Sequence, residues 1–190
     1  MQPALNFPPE VLLRAQGSAL GMRAAIVDVD GVLTDGRLYI GESGEVFKAF
    51  HVLDGHGLKL LAAAGIEPLI VTGRDSAALR RRVADLGLRH AVYGAADKLA
   101  AAQSLLASLG LGWAEVAVIG DDWPDLPLLR RCAFACAPPR AHAEVLAVAH
   151  HVTAAPGGGG AVREFCDLLL VASGRYAALL DEQLRTLDAR

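Results

Sequence analysis

Short apolar runs, each followed by polar or glycine-containing residues, recur along the chain and predict buried β-strands. The clearest of these runs cover residues 24–27, 67–71, 91–93, 115–119 and 132–137. Apolar residues occupy both faces of these runs, which is typical of parallel strands that are covered on both sides. The pattern therefore indicates the α/β fold class, with strands and helices in alternation.

Helical segments are predicted between the strands. They cover residues 58–64, 77–86, 94–109, 141–148 and 162–172. A short helix after Pro8-Pro9 and a short strand at 151–152 are also expected. Residues 51–57 contain the turn signal Asp54-Gly55 and predict a loop.

Residues 37–50 interrupt this alternation, directly after the first strand. Leu38 and Ile40 alternate with polar residues, a glycine-containing turn follows at 41–44, and a second apolar segment runs from Val46 to Phe50. This pattern predicts a β-hairpin. It is either an edge ribbon or a flap or subunit contact, and we favour the second because a lone hairpin is marginally stable unless it is covered.

Composition and charge exclude several classes of protein. The chain has 190 residues and a net charge of −3, so no basic surface argues for nucleic acid. No apolar run is long enough to cross a membrane, and no signal peptide is recognisable. Three cysteines without metal-type spacing are typical of a reducing compartment, so we expect a cytoplasmic protein. We expect an N-terminal appendage (1–21), one main α/β domain (22–173) and a C-terminal tail (174–190).

Acidic residues follow two of the predicted strands. Asp28 and Asp30 come after the first, and Asp121, Asp122 and Asp125 come after the run at 115–119. Ligands of open α/β sheets bind at the carboxyl ends of strands, so the two groups are expected to face each other. Adjacent carboxylates repel unless a cation or a shared proton lies between them. The alternative, that these aspartates only form turns or cap helices, explains single residues better than the whole set.

Two further segments supply groups suited to phosphate. Thr72-Gly73-Arg74 follows the second predicted strand of the alternation, where a hydroxyl, backbone N–H groups and a helix N-terminus favour an anion. The alternative is a simple helix cap at Asp75 or Ser76. Lys98 lies in the first turn of its predicted helix, where a cation opposes the helix dipole. A functional lysine that contacts the phosphate and Asp28 is therefore expected.

These groups together predict phosphoryl transfer with Mg²⁺. Asp28 is placed to attack phosphorus and form an aspartyl-phosphate. Asp30, which we expect to be crowded by negative charge and to have a raised pKa, would protonate the leaving oxygen and later deprotonate water. Asp28 and Asp121 would hold the ion, while Thr72 and Lys98 neutralise the charge on the transferring oxygens.

The glycine run at 157–160 has two interpretations. It is either a flexible hinge or a backbone-lined contact at a subunit or substrate edge. It is not a dinucleotide-binding fingerprint, because no strong strand in a βαβ unit precedes it.

In their order and spacing, four motifs resemble those of the haloacid dehalogenase superfamily of phosphatases. They are Asp28-x-Asp30-Gly31-Val32-x-Thr34-Asp35-Gly36, Thr72-Gly73-Arg74, Lys98 and Gly120-Asp121-Asp122-x-x-Asp125. The resemblance covers residues 24–172 and is greatest to the capless branch, the 3-deoxy-D-manno-octulosonate 8-phosphate phosphatases. It implies a Rossmann-like three-layer α/β/α fold without a cap domain, Mg²⁺ dependence, a sugar phosphate substrate, and a homotetramer in which a neighbouring subunit covers the site.

The resemblance also implies roles for particular residues. The metal ligands correspond to Asp28, Asp121 and the carbonyl of Asp30. The substrate-binding positions correspond to His51, Asp54, Gly55, Lys59, Gly73, Arg74, Arg82 and Lys98.

Four positions depart from the usual pattern of the family. Leu53 and Gly159 stand where an arginine is expected, Lys59 replaces a common arginine, and His51 replaces a common asparagine. Arginine reads a sugar-acid carboxylate with two parallel hydrogen bonds, so a nonulosonate 9-phosphate or another sugar phosphate remains an alternative substrate.

A receiver domain is an alternative from a different class, since it also combines acids, a threonine, a lysine and Mg²⁺. Its phospho-acceptor aspartate would have to follow the third strand of the alternation. That run ends in Tyr93-Gly94 instead, which disfavours this alternative.

Overall fold

Six parallel strands form the central sheet of the structure, a computed structural model that describes residues 5–17, 21–42 and 44–188. In chain order the strands are β1 (Ala24–Val27), β2 (Tyr39–Gly41), β3 (Gly44–Phe47), β4 (Glu67–Val71), β5 (His90–Val92), β6 (Val116–Ile119), β7 (Phe134–Ala137) and β8 (His151–Val152). The spatial order of the sheet is β5-β4-β1-β6-β7-β8, and β2 and β3 form a separate antiparallel hairpin. β1, which precedes Asp28, therefore lies between β4 and β6.

Helices cover both faces of this sheet. They are α1 (Pro9–Ala15), α2 (Val52–Ala63), α3 (Ala77–Leu86), α4 (Lys98–Ser108), α5 (Leu126–Leu129), α6 (Ala143–Leu146), α7 (Ala161–Ala172) and α8 (Tyr176–Asp188). Short 3₁₀ turns lie at Trp113–Glu115 and Trp123–Asp125.

Alternation along β1 explains why the protein has two apolar layers. Ala25 and Val27 pack with residues of α2, α3 and α7 on one face of the sheet. Ala24 and Ile26 pack with residues of α4, α5 and α6 on the other face. Successive side chains of a strand point to opposite faces, so a strand buried on both sides must be apolar throughout. The predicted three-layer α/β/α fold is confirmed.

The prediction of a loop over residues 51–57 is wrong, because α2 begins at Val52. Glycine is unfavourable in the interior of a helix, so Gly55 and Gly57 led to the prediction of a loop. Both glycines are buried where the helix packs closely. A Cβ atom at Gly57 would lie 3.1 Å from the Cβ atom of Cys166 in α7, so tertiary packing outweighs helix propensity here.

Both ends of the described chain pack on the layer that contains α7. Ala15 of α1 belongs to the apolar cluster on that side, and Tyr176 and Leu179 of α8 pack against it. Of the predicted appendage, hairpin turn and tail, residues 1–4, 18–20, 43 and 189–190 lie outside the described residues. No helix in the described ranges is long and apolar enough to cross a membrane.

The connections from β1 to α2 and from β4 to α4 are the places where a cap domain could be inserted. Between Asp28 and Thr72 the described residues form only the hairpin, α2 and β4, and between Thr72 and Lys98 they form only α3 and β5. The described part of the chain therefore contains no cap domain, and the carboxyl ends of the strands open directly outward.

Candidate active site

The acidic groups predicted from the sequence meet in one cleft at the carboxyl ends of β1, β4 and β6. The cleft has a volume of about 300 Å³. It is lined by Asp28, Asp30, Thr72, Gly73, Arg74, Ala95, Ala96, Lys98, Asp121, Asp122, Pro124 and Asp125. Parallel strands end at the same edge of a sheet, which brings residues from distant parts of the chain together.

Lys98 joins two of these carboxylates at the bottom of the cleft. Its Nζ atom lies 2.7 Å from Asp28 Oδ1 and 2.7 Å from Asp125 Oδ1, and all three side chains are buried. Lys98 is the first residue of α4, and Asp97 caps that helix by accepting the N–H of Ala100. The helix start thus fixes a cation beside Asp28, in the way its unusual position predicted.

The charges in the cleft do not balance. Burial, reinforced by the charge of Asp125, raises the pKa of Asp28 to about 8, although Lys98 acts in the opposite direction. Burial and Asp125 likewise raise the pKa of Asp121 to about 6. Burial alone would lower the pKa of Lys98, but the negative charges of Asp28 and Asp125 outweigh the effect of burial, and the pKa of Lys98 is raised. One ammonium therefore compensates three carboxylates only partly.

This imbalance fits a divalent cation. Oxygen atoms of Asp28, Asp121 and Asp125 lie within 4.8 Å of one another. Mg²⁺ is commonly held by one or two carboxylates, with water and phosphate oxygens completing its coordination. The donor set consists of hard oxygen atoms, so these residues suit the magnesium ion that the sequence predicted.

Asp125 was expected in the acidic group but was given no catalytic or metal-binding role, and both of its oxygens are engaged. Oδ1 accepts from Lys98, and Oδ2 accepts from the backbone N–H groups of Asp121 (3.2 Å) and Asp122 (3.4 Å). Asp125 therefore fixes the loop after β6 and leaves Asp28 and Asp121 as the freer ligands. Its place in the fourth motif put Asp125 in the acidic group, and the structure adds the contacts that give it this role.

A glycine in the loop after β1 allows the two acidic segments to approach. Gly31 has a φ of +91°, and a Cβ atom there would lie 2.0 Å from Asp121 Oδ2. A side chain at this position would both strain the backbone and displace the Asp121 carboxylate. The Asp30-Gly31 pair is therefore more than a turn signal.

The surroundings of Asp30 differ from the expectation. Its carboxylate contacts the ammonium of Lys48, and Asp30 Oδ2 lies 3.8 Å from Arg74 Nε. The neighbours of Asp30 are thus cations, and the predicted crowding by negative charge is wrong for this residue. That crowding falls on Asp28 and Asp121, because the loop turns Asp30 toward the hairpin.

The segment after β4 forms another wall of the cleft. Thr72 is buried, and its Oγ1 accepts the backbone N–H of Arg74. Gly73 and Arg74 are exposed, and the Arg74 guanidinium donates to Glu45 Oε2 at 3.1 Å. Ser76 caps α3 by accepting the N–H of Leu79, so the helix cap and the anion-facing segment occupy neighbouring positions.

The remaining predicted substrate residues do not line this cleft. Arg82 donates to the carbonyl of His51 (3.4 Å), and a Cβ atom at Gly55 would lie 2.3 Å from Arg82 Nη2. Asp54 is buried and accepts the backbone N–H of Arg163 at 2.8 Å, near the start of α7. Lys59 is exposed on α2. His51, Asp54, Gly55 and Arg82 therefore lie around the start of α2, and Lys59 lies further along that helix. The contact of all five residues with substrate stays a prediction.

The glycine run contacts the loop that carries the first two aspartates. The N–H of Gly158 donates to the carbonyl of Val32 at 2.9 Å. A Cβ atom at Gly157 would lie 1.8 Å from Gly31 O, and one at Gly158 would lie 2.4 Å from the backbone nitrogen of Asp35. Residues 157–158 are therefore a backbone-lined contact, as one interpretation held, but the contact is to the chain's own catalytic loop.

Comparison with known proteins gives this combination of fold and site a class. A family model for haloacid dehalogenase-like hydrolases matches residues 90–164, which contain Lys98 and Asp121. The 3-deoxy-D-manno-octulosonate 8-phosphate phosphatase of Yersinia pestis is 44% identical over 157 residues, which are 83% of this chain and 84% of that protein. The chain belongs to this family of phosphatases within the haloacid dehalogenase-like hydrolases.

Solved structures agree with this assignment. A probable phosphatase of the YrbI family from Pseudomonas syringae is 44% identical and matches with a TM-score of 0.87, over 93% of this chain and 98% of that one. The 3-deoxy-D-manno-octulosonate 8-phosphate phosphatase of Moraxella catarrhalis, solved with magnesium, phosphate and KDO, is 38% identical. It matches with a TM-score of 0.85, over 91% of this chain and 97% of that one. The resemblance predicted from the four motifs is confirmed.

Proposed function

We propose that this protein is a Mg²⁺-dependent phosphatase that hydrolyses 3-deoxy-D-manno-octulosonate 8-phosphate to KDO and phosphate. The observation that carries the proposal is the buried contact of Lys98 with Asp28 and Asp125, beside Asp121 in an open cleft. This arrangement presents a fixed nucleophile and an excess of acidic ligands to a phosphate. The identity of the substrate is inferred from the relatives in the same family.

The first half-reaction transfers the phosphoryl group to Asp28. A carboxylate oxygen of Asp28 bonds to phosphorus while the bond from phosphorus to the sugar oxygen breaks. Asp30 gives its proton to the leaving oxygen. Lys98 and Thr72 lie at the cleft, where their charge and hydroxyl stabilise the transferring oxygens.

The second half-reaction returns the enzyme to its first state. Asp30 removes a proton from a water molecule, whose oxygen attacks the phosphorus of the aspartyl-phosphate. The bond between Asp28 and phosphorus breaks, and inorganic phosphate leaves. Asp30 is then protonated again, so its proton is restored with each turnover.

Asp28 and Asp121 would hold Mg²⁺ through their carboxylates, and Asp30 would contribute its carbonyl. When bound, the ion neutralises the negative charge of the acids and of the phosphate. Without that neutralisation, the acids in the cleft would repel an anionic substrate.

The sugar is recognised outside the acidic cleft. Arg74 stands at its rim. The other predicted contacts lie around the start of α2 and, for Lys59, further along it; they are His51, Asp54, Gly55, Lys59 and Arg82. Because Leu53 and Gly159 replace arginines of the usual pattern, a related nonulosonate 9-phosphate is the second candidate substrate. Leu53 is half-exposed, so it offers an apolar contact where an arginine would bind a carboxylate.

The test is phosphate release across a panel of 2-keto-3-deoxy sugar phosphates, each assayed with Mg²⁺ and with EDTA. We expect the highest kcat/KM for the 8-phosphate of the eight-carbon acid, and no turnover in EDTA. A higher kcat/KM for the nine-carbon 9-phosphate would make that compound the substrate and would leave the proposed phosphatase mechanism unchanged. Turnover that is unchanged in EDTA would contradict the proposal.

The same proposal includes a homotetramer whose neighbouring subunit covers the cleft. The hairpin carries exposed apolar side chains, with Ile40 63% and Val46 62% exposed, and Tyr39 stacks on Phe47. Grouped apolar side chains on a surface are typical of contacts with another chain. The hairpin also contacts Arg74 through Glu45, which places this surface beside the cleft.

We further propose that the protein works in the cytoplasm. Cys132, Cys136 and Cys166 are buried and unpaired. Free buried thiols are typical of proteins from reducing compartments.

A further inference from the structure

Lys48 follows the last residue of β3, and its side chain reaches back from the hairpin to the catalytic loop. The side chain is only 2% exposed, and its ammonium contacts Asp30 Oδ1. The same ammonium lies 3.0 Å from Glu45 Oε1. Neither the sequence motifs nor the proposed mechanism assigns a role to this buried cation.

The contacts continue across the cleft. Glu45 Oε2 accepts from Arg74 Nη2 at 3.1 Å, so Glu45 links Lys48 to the segment after β4. Removing one partner from a buried group of charges leaves the others without compensation, which makes such an arrangement sensitive to each member. The hairpin is thereby tied to two walls of the site through charged side chains.

The two oxygens of Asp30 are in different surroundings. Oδ1 contacts Lys48, whereas Oδ2 is buried, lies 3.8 Å from Arg74 Nε and has no hydrogen-bond partner among the described residues. A carboxylate that rotates freely would exchange these two oxygens. The contact with Lys48 opposes that rotation and holds the carboxyl group of Asp30 in one orientation at the cleft.

We propose that Lys48 is a positioning residue for Asp30, whose carboxyl group it holds through Oδ1. This inference rests on the proposed function, in which Asp30 is the acid and base. In the first half-reaction the O–H bond of the Asp30 carboxyl group breaks, and that proton bonds to the leaving sugar oxygen. In the second, the Asp30 carboxylate accepts a proton from the attacking water.

A structural role for Lys48, as an anchor of the hairpin alone, predicts something different. An anchor that is lost weakens every reaction in the cleft to a similar degree. A lost positioning residue weakens most the reactions that need the proton from Asp30. The leaving group of the substrate distinguishes these cases, because nitrophenolate departs with little protonation and a sugar alkoxide does not.

The experiment measures kcat/KM of the wild type and of Lys48→Met with the sugar phosphate and with p-nitrophenyl phosphate. The value of kcat/KM reports the reaction steps from substrate binding through departure of the leaving group. General acid catalysis contributes about 10²- to 10⁴-fold. We therefore expect Lys48→Met to lower kcat/KM about tenfold or more for the sugar phosphate and less than about threefold for p-nitrophenyl phosphate. Lys48→Arg, which keeps a cation, should recover part of the loss.

Two controls accompany this comparison. Arg89→Met removes an equal charge from an exposed ion pair with Glu67, at the opposite end of β4, and should leave both substrates unaffected. In an Asp30→Asn background, Lys48→Met should have less than about a twofold further effect, because the group that it positions is gone. Thermal unfolding and sedimentation of each variant establish that fold and assembly are unchanged.

Equal losses on both substrates, or a full further loss in the Asp30→Asn background, would overturn the inference. If Lys48→Met does not fold, Lys48→Gln takes its place in the same comparison, since it keeps a hydrogen-bond donor. If the proposed function itself is wrong, the result is different from either of these, because the wild type would then release no phosphate from any substrate of the panel.

Discussion

Lys98 contacts two buried carboxylates at once, and its position determines how much negative charge the cleft can hold. Without Lys98 the group formed by Asp28, Asp121 and Asp125 would have no cation at the base of the cleft. With it, an excess of negative charge remains, and burial raises the pKa of Asp28 and of Asp121. A divalent cation is the remaining partner that this group of residues requires.

The first prediction concerns the nucleophile. Asp28→Asn should abolish phosphate release, because an amide cannot form the acyl phosphate. Its Tm in EDTA should equal or exceed that of the wild type, since burial disfavours the ionised form of Asp28 in the folded protein. Phosphate assays and thermal unfolding check both statements. Wild-type rates in this variant would rule out the covalent route.

The second prediction concerns the metal. Millimolar Mg²⁺ should raise the Tm of the wild type by several degrees, because a ligand at about 100 times its Kd stabilises by about 2.7 kcal/mol. Asp121→Asn should lose most of this increase. Asp122→Asn is the matched control, since it removes the same charge from the neighbouring exposed position. Equal shifts in all three proteins would place the ion elsewhere.

At the scale of elements, the sequence predicted most of the sheet and failed at the start of α2. Apolar runs such as 24–27 predict strands well because burial on both faces permits few other residues. Gly55 and Gly57 misled the prediction. Glycine is present at these positions because Arg82 and α7 approach the helix closely, and no local sequence pattern indicates such a tertiary contact.

The residues of the candidate site also fall into those whose position the sequence predicted and those whose position it did not. The acids after β1 and β6 were predictable because parallel strands end together. The contact of Lys48 and Glu45 with the cleft was not, since it depends on the angle at which the hairpin folds back. Asp125 lay within a predicted motif, but its contact with Lys98 required the position of α4.

The third prediction concerns the glycine run beneath the catalytic loop. Gly158→Ala should destabilise the protein by about 2 kcal/mol or more, because alanine at a φ of +65° is strained and its Cβ atom would meet the backbone of Asp35. Gly87→Ala is the matched control, with a φ of +70° and open space around it. Urea unfolding measures both variants. Equal losses would mean that the contact with the loop contributes nothing.

The fourth prediction separates two roles of Asp54. Its carboxylate accepts an N–H in the first turn of α7, so Asp54→Ala should cost about 1–2 kcal/mol of stability. Asp54→Asn keeps an acceptor oxygen and should cost less. If Asp54 also contacts the substrate, Asp54→Asn will raise KM while its Tm stays close to that of the wild type. An unchanged KM would leave Asp54 with the capping role alone.

At the scale of the whole molecule, the hairpin presents apolar side chains to its surroundings. Ile40 and Val46 are exposed there, and Val52 and Leu53 at the start of α2 are exposed as well. An antiparallel pair of strands is marginally stable alone, so contact with another subunit would stabilise it.

The fifth prediction tests this surface. Val46→Asp should shift the protein from tetramer to smaller species in sedimentation velocity, because a charge within an apolar contact is costly to bury. Leu13→Asp, at an exposed apolar position on α1, is the control. A tetramer that persists in Val46→Asp would exclude the hairpin from the interface, and a monomeric wild type would exclude the tetramer itself.

The packing of Gly157 and Gly158 against the loop after β1 also has a consequence for synthesis of the chain. The nucleophile Asp28 leaves the ribosome well before Gly157 and Gly158, whose backbone supports its loop, because it lies far earlier in the chain. A nascent chain that stalls before the glycine run would therefore expose its acids without the segment that holds them in place. The active site can be completed only after the glycine run has been made.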